Sequence, residues 1–196
     1  MSVVPPLAVL SALAQEQQGL ISQLDKPECV RYAGRDFWCG YLLGQRVVLA
    51  LSRIGKVAAA TTAAALIERF GCTRIVFTGV AGGVGDGVRV GDVVVGTNYV
   101  QHDMDASPLF PRFEVPLTQM SIFPADTPLA VELAQACRTA MRGFSNLPHQ
   151  LPKVHEGLIA SGDRFINGAQ EVAALVAGLQ AAGGRNGGRC RGASVP

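Results

Sequence analysis

The chain has 196 residues, enough for one sizeable core and at most two domains. With 17 basic and 15 acidic side chains its net charge is only +2, which gives no electrostatic case for nucleic acid or an anionic membrane as main partner. The five cysteines are odd in number and form no C-x-x-C pair, which argues against a disulfide framework or a zinc site and for a reducing cytoplasm. The three histidines are not at metal-ligand spacing either, so neither a metal nor another cofactor is expected.

In chain order, the run from Pro6 to Gln15 comes first. Ala12-Leu13-Ala14 imitates a signal-peptidase site, but no positive charge precedes the apolar run, so export is not expected. Leu7 to Ser11 reads instead as a short buried strand. It leads into a helix from Leu13 to Leu24, whose Leu13, Leu20, Ile21 and Leu24 share one face. Cys29 to Gly34, Phe37 to Leu43 and Arg46 to Ser52 are strand-like runs separated by Gly34 and Gly44-Gln45, the pattern of hairpins. Gly55 opens an Ala-rich helix through Phe70, and Gly71 is placed to end it.

Arg74 to Thr78 is an apolar, β-branched run that passes into Gly79-Val80-Ala81-Gly82-Gly83. It reads as a central strand covered on both faces. Val88 to Val95 supplies another strand, turned at Gly91-Asp92, and Ser107 to Pro128 is Pro-rich and irregular. Thr127 to Met141 is a helix with Pro128 in its first turn. Ser145 to Pro152 is a loop, Val154 to Ser161 a strand and Asn167 to Leu179 a helix. Strands alternating with helices give an α/β fold with a parallel or mixed sheet. No apolar stretch is long enough to span a bilayer as a helix.

The glycine cluster alone is a weak signal. It lacks the G-x-G-x-x-G spacing of a dinucleotide fold and the Gly-Lys-Ser/Thr of a P-loop. It is either a tight passage out of a strand or a loop whose N–H groups face a ligand. Glu16 is either a solvated carboxylate in the first turn of a helix or a catalytic group just beyond a core strand. Asp163 follows another strand and is either a polar capping residue or part of a site.

Together these segments are similar to the methylthioadenosine/S-adenosylhomocysteine nucleosidases, within the nucleoside phosphorylase superfamily. The stretches that carry the resemblance are Ala12 to Glu16, Ser52-Arg53-Ile54-Gly55-Lys56-Val57-Ala58-Ala59-Ala60, and Thr78 to Gly83 with Val90-Gly91-Asp92-Val93-Val94. The most specific is Ser161-Gly162-Asp163-Arg164-Phe165-Ile166-Asn167-Gly168. His102-Asp103-Met104-Asp105 also looks like the family, and the likeness covers about residues 7 to 180.

The resemblance implies a three-layer α/β/α fold around a central mixed sheet. It implies hydrolysis of the N-glycosidic bond of methylthioadenosine or S-adenosylhomocysteine, with release of adenine in methionine salvage. It also implies a homodimer. Glu16 would hold and activate the attacking water. Phe165 would stack on adenine, and the backbone of Ile166 would hydrogen-bond its edge. Gly82 would line the ribose and base, and Ile54 would pack near the sugar. A purine nucleoside phosphorylase of the same fold would use phosphate in place of water and want basic residues at the glycine loop, whereas Val80 to Val84 is apolar. An inactive remnant that still binds adenine nucleosides is a further reading.

The family's two later carboxylates, one in an A-V-E-M-E run and one on a later strand, have no counterpart here. Residues 181–196 read AAGGRNGGRCRGASVP, a composition that extends no core. Residues 1–180 are therefore expected to form an incomplete nucleoside phosphorylase-like domain lacking its last strands and helix. Residues 181–196 are expected to be a non-native, disordered tail. As a hypothesis, the tail is a frameshift product: Gly183 to Arg191 can be encoded so that reading one base later gives A-V-E-M-E-G-A-A. Sequencing the gene decides it, and the same tail in functional copies would exclude it.

Overall fold

The computed structural model describes residues 4–85, 87–144, 152–166, 168–183 and 194–195. The chain divides into two compact units, Met1–Val80 and Ala81–Pro196, each with its own mixed five-stranded sheet.

The first unit contains β1 (Leu7–Ser11), β2 (Asp25–Tyr32), β3 (Arg35–Leu42), β4 (Gln45–Leu51), α1 (Lys56–Glu68) and β5 (Arg74–Phe77). The sheet order is β2-β3-β4-β1-β5. β2, β3 and β4 form antiparallel hairpins. Their two-residue turns, Ala33-Gly34 and Leu43-Gly44, have positive φ at both positions, the geometry that matches strand twist. β4, β1 and β5 run parallel. Val47, Val48, Leu49 and Ala50 of β4 are all buried, because the sheet is covered on both faces. On one face Ala8, Leu10, Phe37, Val48 and Ala50 pack with Leu66 of α1 and with Cys72. On the other, Val47 and Leu49 pack with Leu24, Leu20 and Ile21. α1 ends as expected: Gly71, at φ +69°, donates its N–H to Ile67 O.

The second unit contains β6 (Gly82–Gly83), β7 (Val93–Gln101), β8 (Phe123–Pro124), α2 (Thr127–Met141), β9 (Val154–Ser161), α3 (Ala169–Gly183) and β10 (Ser194–Val195). Its sheet order is β6-β10-β9-β7-β8, with β7 and β9 parallel. α2 is capped by Asp126, whose carboxylate accepts Leu129 N–H at 3.1 Å. Its Ala130 and Ala134 pack with Val95. Val100, Leu158 and Ala160 pack with Phe113 and with Leu175 and Leu179 of α3. Among the described residues, no helix is long and apolar enough to cross a membrane.

Several elements differ from the sequence reading. The helix expected over Leu13–Leu24 is a pair of 3-10 turns, Ala14–Gln17 and Ile21–Gln23. Gly19 at φ +90° parts them, and the buried Gln17 side chain reaches away to donate to Val9 O and Ala50 O. The strand expected from Val88 begins only at Val93. Before it, Asp92 and Arg89 close a turn through Asp92 N–H to Arg89 O and Arg89 N–H to the Asp92 carboxylate. β5 is an edge strand of its unit's sheet, not a central one, and its Phe77 is exposed. The expected boundary at residue 180 falls inside α3, which runs to Gly183. Within the expected tail, Ser194–Val195 pairs with β6 and β9, while 184–193 and 196 lie outside the described residues. Most of the loop expected over Ser145–Pro152 also lies outside them.

Candidate functional site

In the first unit, three parallel strands deliver their loops to one edge. Beyond the carboxyl end of β1, Ser11 O accepts Ser52 N–H at 2.8 Å. This lays the Ser52–Gly55 segment beside Ala12–Glu16. On the other side, Thr78 N–H donates to Leu10 O at 2.9 Å and brings in Gly79 and Val80. Ligands of open α/β sheets bind at such strand ends.

Glu16 is fixed at this junction. Its Oε2 accepts the N–H groups of Ala12 and Leu13, each at 2.9 Å, and its Oε1 accepts Val80 N–H at 3.0 Å. The Ala12 and Leu13 bonds are local, and the third spans 64 residues of sequence. A Cβ on Gly79 would lie 3.0 Å from Glu16 Oε1, so the glycine gives the carboxylate room. Three of a carboxylate's roughly four acceptor sites are thus used, and one remains for a water. The glycine loop turns its Val80 N–H toward Glu16. Glu16 does stand in a first turn, that of the 3-10 turn Ala14–Gln17, but its carboxylate is held by backbone N–H groups rather than solvated. Ile54 follows Arg53, which has φ +67° and is tied back by Ser52 Oγ donating to Arg53 O at 2.7 Å. The Ile54 side chain is 77% exposed.

Two thiols of this unit are unsuited to nucleophilic work. Burial pushes the Cys72 thiol up to about 11 and raises that of Cys39 as well, so neither is a thiolate at neutral pH.

In the second unit, β7 and β9 end side by side and lead into His102-Asp103 and into the segment Gly162–Ile166. His102 N–H donates to Ser161 O at 2.9 Å. The Asp103 carboxylate accepts Asp163 N–H at 2.8 Å. Ile166, partly buried, packs against the cluster of Val100, Leu158 and Leu175. Phe165, its neighbour, is 78% exposed. Gly82, in β6, is exposed and pairs with Val195. The structure thus sets Glu16 and Ile54 on adjoining loops of the first unit, and Phe165 and Ile166 on one loop of the second. The residues that sequence reasoning passed over are Gly79 and Asp103. The first was hidden in a glycine run with no known spacing, and the second lay in a segment read only as a likeness.

At the opposite end of the same two strands, Asp92 joins the start of β7 to the start of β9. Its Oδ1 accepts Lys153 N–H at 2.8 Å, and its Oδ2 lies 2.9 Å from His155 Nε2. A carboxylate only accepts, so Nε2 carries the proton. The Lys153 N–H first, and then the His155 side chain, hold the Asp92 carboxyl below its ordinary value of 3.8.

The first unit thus presents a strand-end carboxylate beside a glycine turn, and the second an exposed aromatic on a loop of its own. A family model described as the phosphorylase superfamily matches residues 6–183, which sets the class. A 5'-methylthioadenosine/S-adenosylhomocysteine nucleosidase of Shewanella denitrificans is 34% identical over 160 residues, covering 82% of this chain and 66% of the relative. The enzyme of the same name from Bacillus cytotoxicus is 35% identical over 169 residues, covering 86% of this chain and 69% of the relative. The crystal structure of the Neisseria meningitidis enzyme of that name, in complex with methylthio-immucillin-A, superimposes with a TM-score of 0.81 at 32% identity. The match covers 98% of this chain and 77% of that one. The chain belongs to the 5'-methylthioadenosine/S-adenosylhomocysteine nucleosidases within that superfamily. It has their α/β nucleoside phosphorylase-like fold, and spans about two thirds of the length of these two curated relatives.

Proposed function

We propose that this chain serves hydrolysis of the N-glycosidic bond of 5'-methylthioadenosine or S-adenosylhomocysteine, releasing adenine. The observation that carries the reading is the Glu16 carboxylate, held by three backbone N–H groups at the ends of parallel strands. Cleavage passes through an oxocarbenium-like sugar. Glu16 orients a water toward the anomeric carbon and takes its proton as the bond to adenine breaks. Preorganisation by fixed N–H donors lets it do so without rearranging at the moment of reaction. Ile54 packs near the sugar, Gly82 lines the ribose and base, Phe165 stacks on adenine, and the Ile166 backbone bonds its edge. The exposure of Phe165 and the inward side chain of Ile166 support those roles.

Water rather than phosphate is the acceptor in this reading, since Val80 to Val84 carries no basic side chain. The test is adenine release from methylthioadenosine with and without phosphate. A free sugar product, formed equally in both, is expected; dependence on phosphate and a sugar phosphate product would transfer the chain to the phosphorylase reading. We further infer work in the cytoplasm, in methionine salvage, as a homodimer. The free thiols of Cys29, Cys39, Cys72 and Cys137 support the first of these. The nucleoside phosphorylase-like part in this reading runs through Gly183, where both α3 and the family match end, rather than to residue 180.

A further inference from the structure

We propose that Asp103 is a positioning residue for the base-binding segment Gly162–Ile166, a role that rests on the reading of Phe165 as the adenine platform. The loop is held at several points. At its start, the Asp103 carboxylate accepts Asp163 N–H at 2.8 Å, two residues before Phe165. This approach depends on Gly162: a Cβ there would lie 2.4 Å from His102 Nε2 and 2.9 Å from Asp103 Cγ, distances no side chain tolerates. Along the same edge, His102 N–H donates to Ser161 O, and the His102 side chain is buried. Further on, Ile166 is seated in the core beside Val100 and Leu158. Between these two points, the Arg164 guanidinium, next to Phe165, pairs with Glu171 of α3.

Between these ties Phe165 is left as an exposed ring on a short, fixed arc. A stacking residue must present its face at one height and one angle, so the arc's path matters more than the ring's own packing. The Ile166 anchor is apolar and sets depth. The Asp103 bond is directional and charge-assisted, and sets where the chain leaves β9. Asp103 touches no substrate in this scheme; it acts through Asp163 N–H on the position of Phe165.

The test uses the full chain with Asp103→Ala and Asp103→Asn. Calorimetric titration with adenine and with methylthioribose separates the two halves of the substrate. Asp103→Ala is expected to weaken adenine about tenfold and leave methylthioribose unchanged. Asp103→Asn, whose amide oxygen still accepts a hydrogen bond, should recover most of the loss. Amide exchange at 163–166, read by mass spectrometry or NMR, should quicken in Asp103→Ala and stay near the parent rate in Asp103→Asn. Unchanged adenine affinity together with unchanged exchange in Asp103→Ala overturns the proposal, as does an equal loss for both ligands. If the parent chain binds no adenine, the Phe165 reading fails, while the exchange rates still decide whether Asp103 fixes the loop.

Discussion

Glu16 is the side chain at which the fold and the proposed chemistry meet. Its two oxygens collect N–H groups from its own loop and from Val80. In Glu16→Gln the amide NH2 must replace one oxygen, and each oxygen now faces a donor. A donor then meets a donor, and a charge-assisted bond is lost. Unfolding free energy is expected to fall by about 1–3 kcal/mol, the usual cost of leaving such a group unsatisfied, and denaturant titration reads it. Adenine release should fall further, by about 10²–10⁴-fold, as expected when a positioned general base is removed. A Glu16→Gln protein as stable as the parent would show that the three-donor clasp does not form. Gly79→Ala probes the same junction from the other side: its methyl would sit 3.0 Å from Oε1. It should lower adenine release by displacing the carboxylate, while its helices and strands stay intact by circular dichroism.

Elements make their own predictions, and the second unit supplies the sharpest. Ala134 is fully buried where α2 meets Val95. Ala134→Leu forces added methylenes into a filled contact and should cost about 1–3 kcal/mol in a urea titration. Asp92 ties the starts of β7 and β9, and its carboxyl is held below 3.8 in the folded chain. The folded form therefore binds that proton less readily than the unfolded form does. The stability it contributes is complete above about 3.8 and is lost as pH falls through the lower folded value. Asp92→Asn should be less stable near neutrality, and the gap to the parent should close as pH drops below that point. A constant gap down to strongly acid pH would show that the Lys153 and His155 contacts do not depend on the charge. The same region shows what sequence pattern can and cannot deliver. Thr127–Met141 and Val154–Ser161 were legible to the residue: Pro128 marks the start of the first, and the second is a short run, apolar at Leu158–Ala160, that stops at Ser161-Gly162. Val88–Val95 looked equally strand-like, yet Val90 is fully exposed and Asp92 closes a turn on Arg89. Apolar composition does not distinguish a strand from a valine-rich turn; the side-chain cap does. Leu13–Leu24 misled for a related reason: its leucines fit one helical face, but Gln17 spends its amide on β1 and β4 rather than leaving it in solvent.

At the scale of the whole molecule, sequence offers candidates where residues are adjacent, as in the proposed pair Phe165-Ile166, and offers less where distant segments meet. Nothing local announces that Glu16 will find Val80, 64 positions away; only the parallel pairing of β1 with β5 brings them together. The chemistry of the complete reaction asks for more than this junction. The carboxylate orients a water that attacks one side of the sugar, but adenine leaves readily only when an acid protonates it. The family's A-V-E-M-E run, expected to grip the ribose, and its later Asp, expected to serve as that acid, have no counterpart in this sequence. In the reading proposed above, a polypeptide of just these 196 residues should therefore release adenine about 10²–10⁴-fold more slowly than the Shewanella denitrificans or Bacillus cytotoxicus enzyme, the usual contribution of one positioned acid or base. Such effects within one catalytic unit do not add, so the loss of both groups sets no simple product. The comparison is a coupled assay for free adenine on this chain and either relative, at equal protein and saturating methylthioadenosine. The residual rate should depend on Glu16. A rate equal to the relative's would mean that another side chain of these 196 residues protonates adenine. The division of roles between Glu16 and an acid beyond it would then have to be redrawn.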